Sequence, residues 1–98
     1  MEVEFADDSF DQLEIDPRFT GGFAAAAVSA FRKRMQMIRS APDERDFYAL
    51  KSIHFEKLKG DRDSQFSMKL NDQWRLILKL VKKETGKTVL VISITDYH

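Results

Sequence analysis

With 98 residues, 43 % hydrophobic and 33 % charged, the chain has the composition of one globular domain spanning 1–98. It has no cysteine, which excludes disulfides, a thiolate nucleophile and cysteine metal sites. No apolar run approaches the roughly 18 to 20 residues that cross a bilayer, and Met1–Phe5 is acidic where a signal peptide is basic, so a cytoplasmic protein with no membrane partner is expected. The formal net charge of zero hides an asymmetry: residues 1–17 carry seven acids and no base, leaving sixteen bases against nine acids in 18–98. A basic, phosphate-attracting face is therefore compatible with overall neutrality, although an ordinary mixed surface would give the same totals.

Val3 and Phe5 alternate with acids, which predicts a short first strand. Asp7-Asp8-Ser9 offers helix N-caps, and Phe10, Leu13 and Ile15 would face inward until Asp16-Pro17 breaks the helix. A long amphipathic helix is predicted over about 22–40, where Phe23, Ala27, Ala30, Phe31, Met35 and Ile38 recur at three- and four-residue spacing. Ala41-Pro42 ends it, and Asp43-Glu44-Arg45-Asp46 starts a short turn or helix carrying Phe47, Tyr48 and Leu50.

From about Ile53 the period becomes two. Phe66, Met68 and Leu70 form one strand face up to the Asn71-Asp72 turn. In the next strand Trp74, Leu76, Leu78 and Leu80 face one way and Arg75, Ile77, Lys79 and Val81 the other. After Glu84-Thr85-Gly86-Lys87, the nearly apolar run Val89–Thr95 predicts a central strand covered on both faces. A strand, helices and a three-strand meander make an α+β fold, with helices on one face of a small, mainly antiparallel sheet.

There is no Gly-rich phosphate loop, no Gly-x-Ser-x-Gly, and no histidine pair at metal-ligand spacing. What remains is a set of cations, Lys57, Lys59, Arg62 and Arg75, and the triplet Asp96-Tyr97-His98. These groups suit RNA cleavage without metal or cofactor. A ribose 2′-OH attacks the adjacent phosphate, a base takes its proton, cations hold the phosphorane charge, and an acid protonates the 5′ oxygen. Histidine suits either proton task, arginine offers a bidentate fork, and tyrosine can stack on a base. Each residue also has a plainer role: Lys59 as a solvated turn lysine, Arg75 paired with Asp72 or Asp96, His54 packed at a strand edge, His98 as a chain end.

Three segments in order bear a family likeness: Leu58-Lys59-Gly60-Asp61-Arg62, Asn71-Asp72-Gln73-Trp74-Arg75, and the closing Asp96-Tyr97-His98. Together they resemble the HigB-type toxins of the RelE/ParE superfamily of type II toxin–antitoxin systems. The resemblance implies a RelE-like fold, ribosome-dependent cleavage of A-site mRNA, and neutralisation by a HigA-type helix-turn-helix antitoxin. It implies that Lys59 stabilises phosphate charge, Arg75 binds the scissile phosphate, His98 transfers a proton, Asp96 orients it and Tyr97 stacks; which group is base and which acid stays open. Some members carry His-Pro where this chain has Glu56-Lys57, so His54, two positions earlier on the same expected strand face, is a further catalytic candidate. Arg32, Lys33, Arg34, Arg39, Lys57 and Arg62 are candidate contacts to small-subunit ribosomal RNA; Arg32 and Arg39, seven apart, share a helix face. ParE-like gyrase binding without nuclease activity is the alternative within the same superfamily.

Overall fold

The computed structural model describes residues 1–60 and 64–96. A five-stranded sheet carries its helices on one face. In chain order the elements are β1 (Glu2–Phe5), α1 (Asp8–Ile15), α2 (Ala25–Ser40), α3 (Arg45–Ala49), a 3₁₀ turn (Lys51–Ile53), β2 (Glu56–Lys57), β3 (Gln65–Lys69), β4 (Trp74–Lys83) and β5 (Gly86–Asp96). The sheet order is β1-β5-β4-β3-β2. The meander β3-β4-β5 is antiparallel as predicted, while β1 adds to β5 in parallel, a pairing that a four-residue strand does not advertise.

Alternation decides what each strand face meets. Met68, Leu76, Leu78, Val89, Val91 and Ile94 turn toward the helices and are sealed there against Leu13, Phe31, Met35, Ile38 and Phe47. Each such fully buried side chain stabilises the fold by roughly 1.5 to 3 kcal/mol. β5 lies inside the sheet, as its apolar sequence requires, but only one of its faces is covered: Leu90, Ser93 and Thr95 are half-buried on the side without helices. Its alternation also breaks once. Ile77 pairs with Ser93 and Leu78 with Val91, so Ile92 is the extra residue of a β-bulge.

One side chain and one helix boundary differ from the periodicity. Asp7 caps α1 as expected, its carboxylate accepting from the Ser9 N–H at 2.8 Å, but Ile15 at the helix end is 69 % exposed rather than inward. α2 starts at Ala25, not near residue 22, because Gly21 and Gly22 take left-handed φ of 59° and 84°, a turn that glycine enters without a Cβ clash. Phe23 still reaches the core side, its ring edge-on to Trp74 at 5.7 Å.

α3 is held at its start by acid–base pairs. Arg45 forks onto Asp43, which lowers the Asp43 carboxyl to about 2, and Lys87 on the β4–β5 hairpin binds Glu44, which lowers its carboxyl below the ordinary 4.5. Carboxyls lowered in the folded state stabilise it above their unfolded values and lose that contribution as pH falls through the folded ones. Glu44→Gln should therefore lower the melting temperature slightly at neutral pH, by the small contribution of a pair at the surface, and flatten by that same amount the fall in melting temperature as pH drops below about 4.5. Thermal melts of both proteins across that range check this; an identical acid dependence would refute it.

Candidate functional site

The sheet face without helices is where polar chemistry gathers. Residues directly opposite on neighbouring strands share a face, so the registers define it: Thr95, Arg75 and Lys69 in one row, Ser93, Ile77, Ser67 and Glu56 in the next, then Leu90, Lys79 and Gln65. Arg75 is the most enclosed cation here, with its side chain 13 % exposed. Its Nη1 lies 3.8 Å from Glu56 Oε1, an ion pair longer than a hydrogen bond. A guanidinium so placed is largely desolvated, which strengthens its attraction for an anion that comes into contact with it.

The other predicted site residues are dispersed. Asp96 pairs with Trp74, the register position that puts it on the helix side, and accepts from Gln73 Nε2 at 3.3 Å. It thus reaches the same sheet end as Arg75 but on the opposite face. Lys59 is exposed just past Leu58, whose N–H donates to Gln65 at the far end of β3. Lys69, the partner of Arg75, is four residues along that strand from Gln65, about 14 Å. Arg62, Tyr97 and His98 lie outside the described residues.

His54 does not share a strand face with β2. It closes the 3₁₀ turn, its N–H donating to the Lys51 carbonyl, in a left-handed conformation with φ 46°. Ile53 and Phe55 on either side of it are buried in the core, and His54 itself is exposed.

The four bases of α2 do not form one surface either. Arg32 faces the α1–α2 connection, its Nε donating to the Leu13 carbonyl at 3.0 Å and its Nη2 to Asp16 at 2.8 Å and Phe19 at 3.1 Å. Arg39, on the same flank as expected, makes a bidentate pair with Glu14 at 2.7 Å, which raises its pKa. Both guanidiniums are thus engaged with α1 and its connection, Arg32 in a part-buried setting and Arg39 at the surface. Lys33 is exposed; Arg34, on the other flank, is half-buried, and burial lowers its pKa. Lys57 is exposed on β2, in register with Phe66 and so on the face opposite Glu56.

Glu56 is the site residue that sequence reasoning passed over. The only signal for it was its position in the family-like segment, where a histidine was looked for; its nearness to Arg75 depends on β2 pairing with β3, and β2 is two residues long.

Known structures share this architecture. A YoeB/ParE toxin from Agrobacterium tumefaciens is 19 % identical with a TM-score of 0.64, the alignment covering 100 % of both chains. The RelBE2 toxin–antitoxin complex from Mycobacterium tuberculosis matches at 14 % identity and a TM-score of 0.53, over 98 % of this chain and 96 % of that one. The conserved hypothetical protein HP0894 from Helicobacter pylori matches at 13 % identity and 0.53, over 99 % and 94 %. No curated protein matches the sequence. Identities this low establish the fold alone. The family rests on a sequence model for the RelE-like toxin HigB of type II toxin–antitoxin systems, which matches residues 3–98. Sheet order, segment likeness and that nearly full-length match agree: the chain belongs to the HigB-like toxins, RelE-like toxins of type II toxin–antitoxin systems.

Proposed function

We propose that this toxin is a ribosome-dependent mRNA endonuclease that stops translation by metal-independent cleavage in the A site. The observation that supports this most is Arg75, a largely enclosed guanidinium on an open sheet face with the Glu56 carboxylate 3.8 Å away. Arg75 takes the non-bridging oxygens of the scissile phosphate. A base, Glu56 or His98, accepts the 2′-OH proton as the 2′ oxygen bonds to phosphorus. The bond to the 5′ oxygen then breaks and that oxygen takes a proton from an acid. The products are a 2′,3′-cyclic phosphate and a 5′-OH. Tyr97 stacks on the exposed base and Asp96 orients the chain end. Lys59, at the other end of β3, holds a neighbouring phosphate rather than the scissile one.

So few groups, and dispersed ones, need a substrate delivered in a fixed pose. Orientation alone can supply on the order of 7 to 11 kcal/mol, and the small ribosomal subunit supplies it. The partner that silences the toxin in the cytoplasm is a HigA-type antitoxin.

Purified protein should cut mRNA on programmed ribosomes without added metal and leave naked mRNA nearly intact, as read by mapping 5′ ends. Efficient cutting of naked RNA at arbitrary sites would remove the ribosome from the reading. Growth arrest with DNA damage and uncut mRNA would point instead to a gyrase-binding toxin.

A further inference from the structure

Arg32 has a nitrogen to spare. Its Nε and Nη2 are committed to the carbonyls of Leu13, Asp16 and Phe19, while Nη1 makes no hydrogen bond among the described residues and is not sealed from solvent. The side chain stands in the wall of a cleft of about 340 Å³ between α2 and the α1–α2 connection. Ala25, Val28, Ser29, Arg32 and Lys33 recur at three- and four-residue spacing, so one flank of α2 forms the long wall, and Pro17 closes it from the connection. Lys33 is exposed and enters no ion pair among the described residues. Among those residues no acid lines the cleft, and Asp16, next to Pro17, gives its Oδ1 to the Arg18 N–H at 2.9 Å. The cleft belongs to the helix layer, on the other side of the sheet from Arg75.

We infer that this cleft binds a carboxylate on a short apolar stem, with one oxygen on Arg32 Nη1 and the other on the Lys33 ammonium. The site stands independently of the nuclease reading. Three carbonyls already fix the Arg32 guanidinium, so meeting an anion orders it little further. Because Nε and Nη2 are taken, the fork that grips phosphate side-on is closed, and a single nitrogen is left for a single oxygen. A carboxylate has two oxygens, and two cations line the cleft. A phosphate monoester brings a third, which would lie unpaired over Val28, Ala25 and Pro17 at a desolvation penalty. A phosphodiester carries polar sugars on both sides, which that apolar floor does not match. An aliphatic stem does match it. The acid is either a free short-chain organic acid or a glutamate or aspartate side chain presented by another protein, since both offer the same group.

Titrating the isotope-labelled full chain with butyrate, and following its backbone amide resonances, tests this apart from catalysis. Saturable shifts should appear at Ser29, Lys33 and their neighbours on α2, and not at the exposed Lys51 of the 3₁₀ turn. Arg32 also holds the fold, so the variants are made beside it. Lys33→Gln should weaken butyrate binding several-fold. Ser29→Leu, a change at an exposed helical position that fills the cleft, should abolish binding and keep the melting temperature. Butyramide, the uncharged isostere, should not bind. A blocked peptide whose one carboxylate is a glutamate side chain separates the sources: binding tighter than butyrate assigns the cleft to an acidic segment of a partner protein, weaker binding to a free acid. The site is refuted if butyrate gives no saturable shift, or if butyramide shifts the same amides equally. It is equally refuted if Lys33→Gln and Ser29→Leu titrate like the wild type. Tighter binding of inorganic phosphate than of butyrate would overturn the carboxylate assignment.

Discussion

Arg75→Lys lowers single-turnover cleavage of mRNA on programmed ribosomes by about 100- to 1,000-fold, the range seen when one preorganised donor to a developing oxyanion is removed. The charge is conserved in this change, so electrostatic attraction alone predicts little effect. What is lost is the planar fork that can hold two phosphate oxygens at once. The enclosure of Arg75 raises the stakes, because a shorter ammonium on the same strand leaves the oxygens either unmet or met by water. Glu56→Gln separates the roles further. If Glu56 takes the 2′-OH proton, its amide cuts poorly at every pH. If it only holds Arg75, cleavage falls modestly and the pH profile keeps its shape. Melting temperature should move by a few degrees in either variant, since the Arg75–Glu56 pair is long and Glu56 is 61 % exposed. Cleavage by Arg75→Lys at the wild-type rate would take the scissile phosphate away from this residue.

Arg32→Met should unfold the toxin 10 to 20 °C earlier, at a cost of about 2 to 3 kcal/mol. Methionine keeps an apolar stem but removes three donated hydrogen bonds. The carbonyls of Leu13, Asp16 and Phe19 then stay behind in a part-buried connection. Orphaned buried acceptors carry their full desolvation penalty, which is what makes such a change expensive. Arg39→Met, by contrast, gives up an exposed pair with Glu14 and should cost under about 1 kcal/mol. Differential scanning calorimetry of the two variants decides it, and equal small shifts would show that Arg32 is not a clamp. Its consequence for RNA binding is direct: weakened ribosome association by an Arg32 variant is first to be read as lost fold.

What could be read in the sequence was what repeats. Alternation at Phe66, Met68 and Leu70 and again at Trp74 to Leu80 marks β3 and β4 with their correct faces, and it puts Arg75 on the face opposite Leu76 and Leu78. Helical spacing from Ala27 to Ile38 found α2 and its buried stripe. What depends on distant partners was not legible. Arg32 and Lys33 are adjacent basic residues on one helix; only the path of the α1–α2 connection makes one a clamp and the other a solvated lysine. Glu56 beside Arg75 requires a two-residue strand to find its edge. His54 fits a strand pattern, because buried Ile53 and Phe55 on either side of an exposed residue are what alternation predicts; the 3₁₀ turn that it closes in a left-handed conformation leaves no mark in that pattern. The bulge at Ile92 left no trace because Leu90, Val91 and Ile92 are all apolar.

That bulge makes the end of β5 a question of odd and even. Counting in twos from Val91 would send Ser93 and Thr95 into the core and leave Ile94 facing outward. The extra residue reverses the count, so Ile94 is buried while Ser93 and Thr95 lie beside Ile77 and Arg75. A deletion of one residue here would exchange inside and outside for everything after it, whereas a deletion of two would shorten the strand and keep every later side chain on its own side. Spacing between the core and the closing segment of this toxin is thus tolerant of length but intolerant of parity.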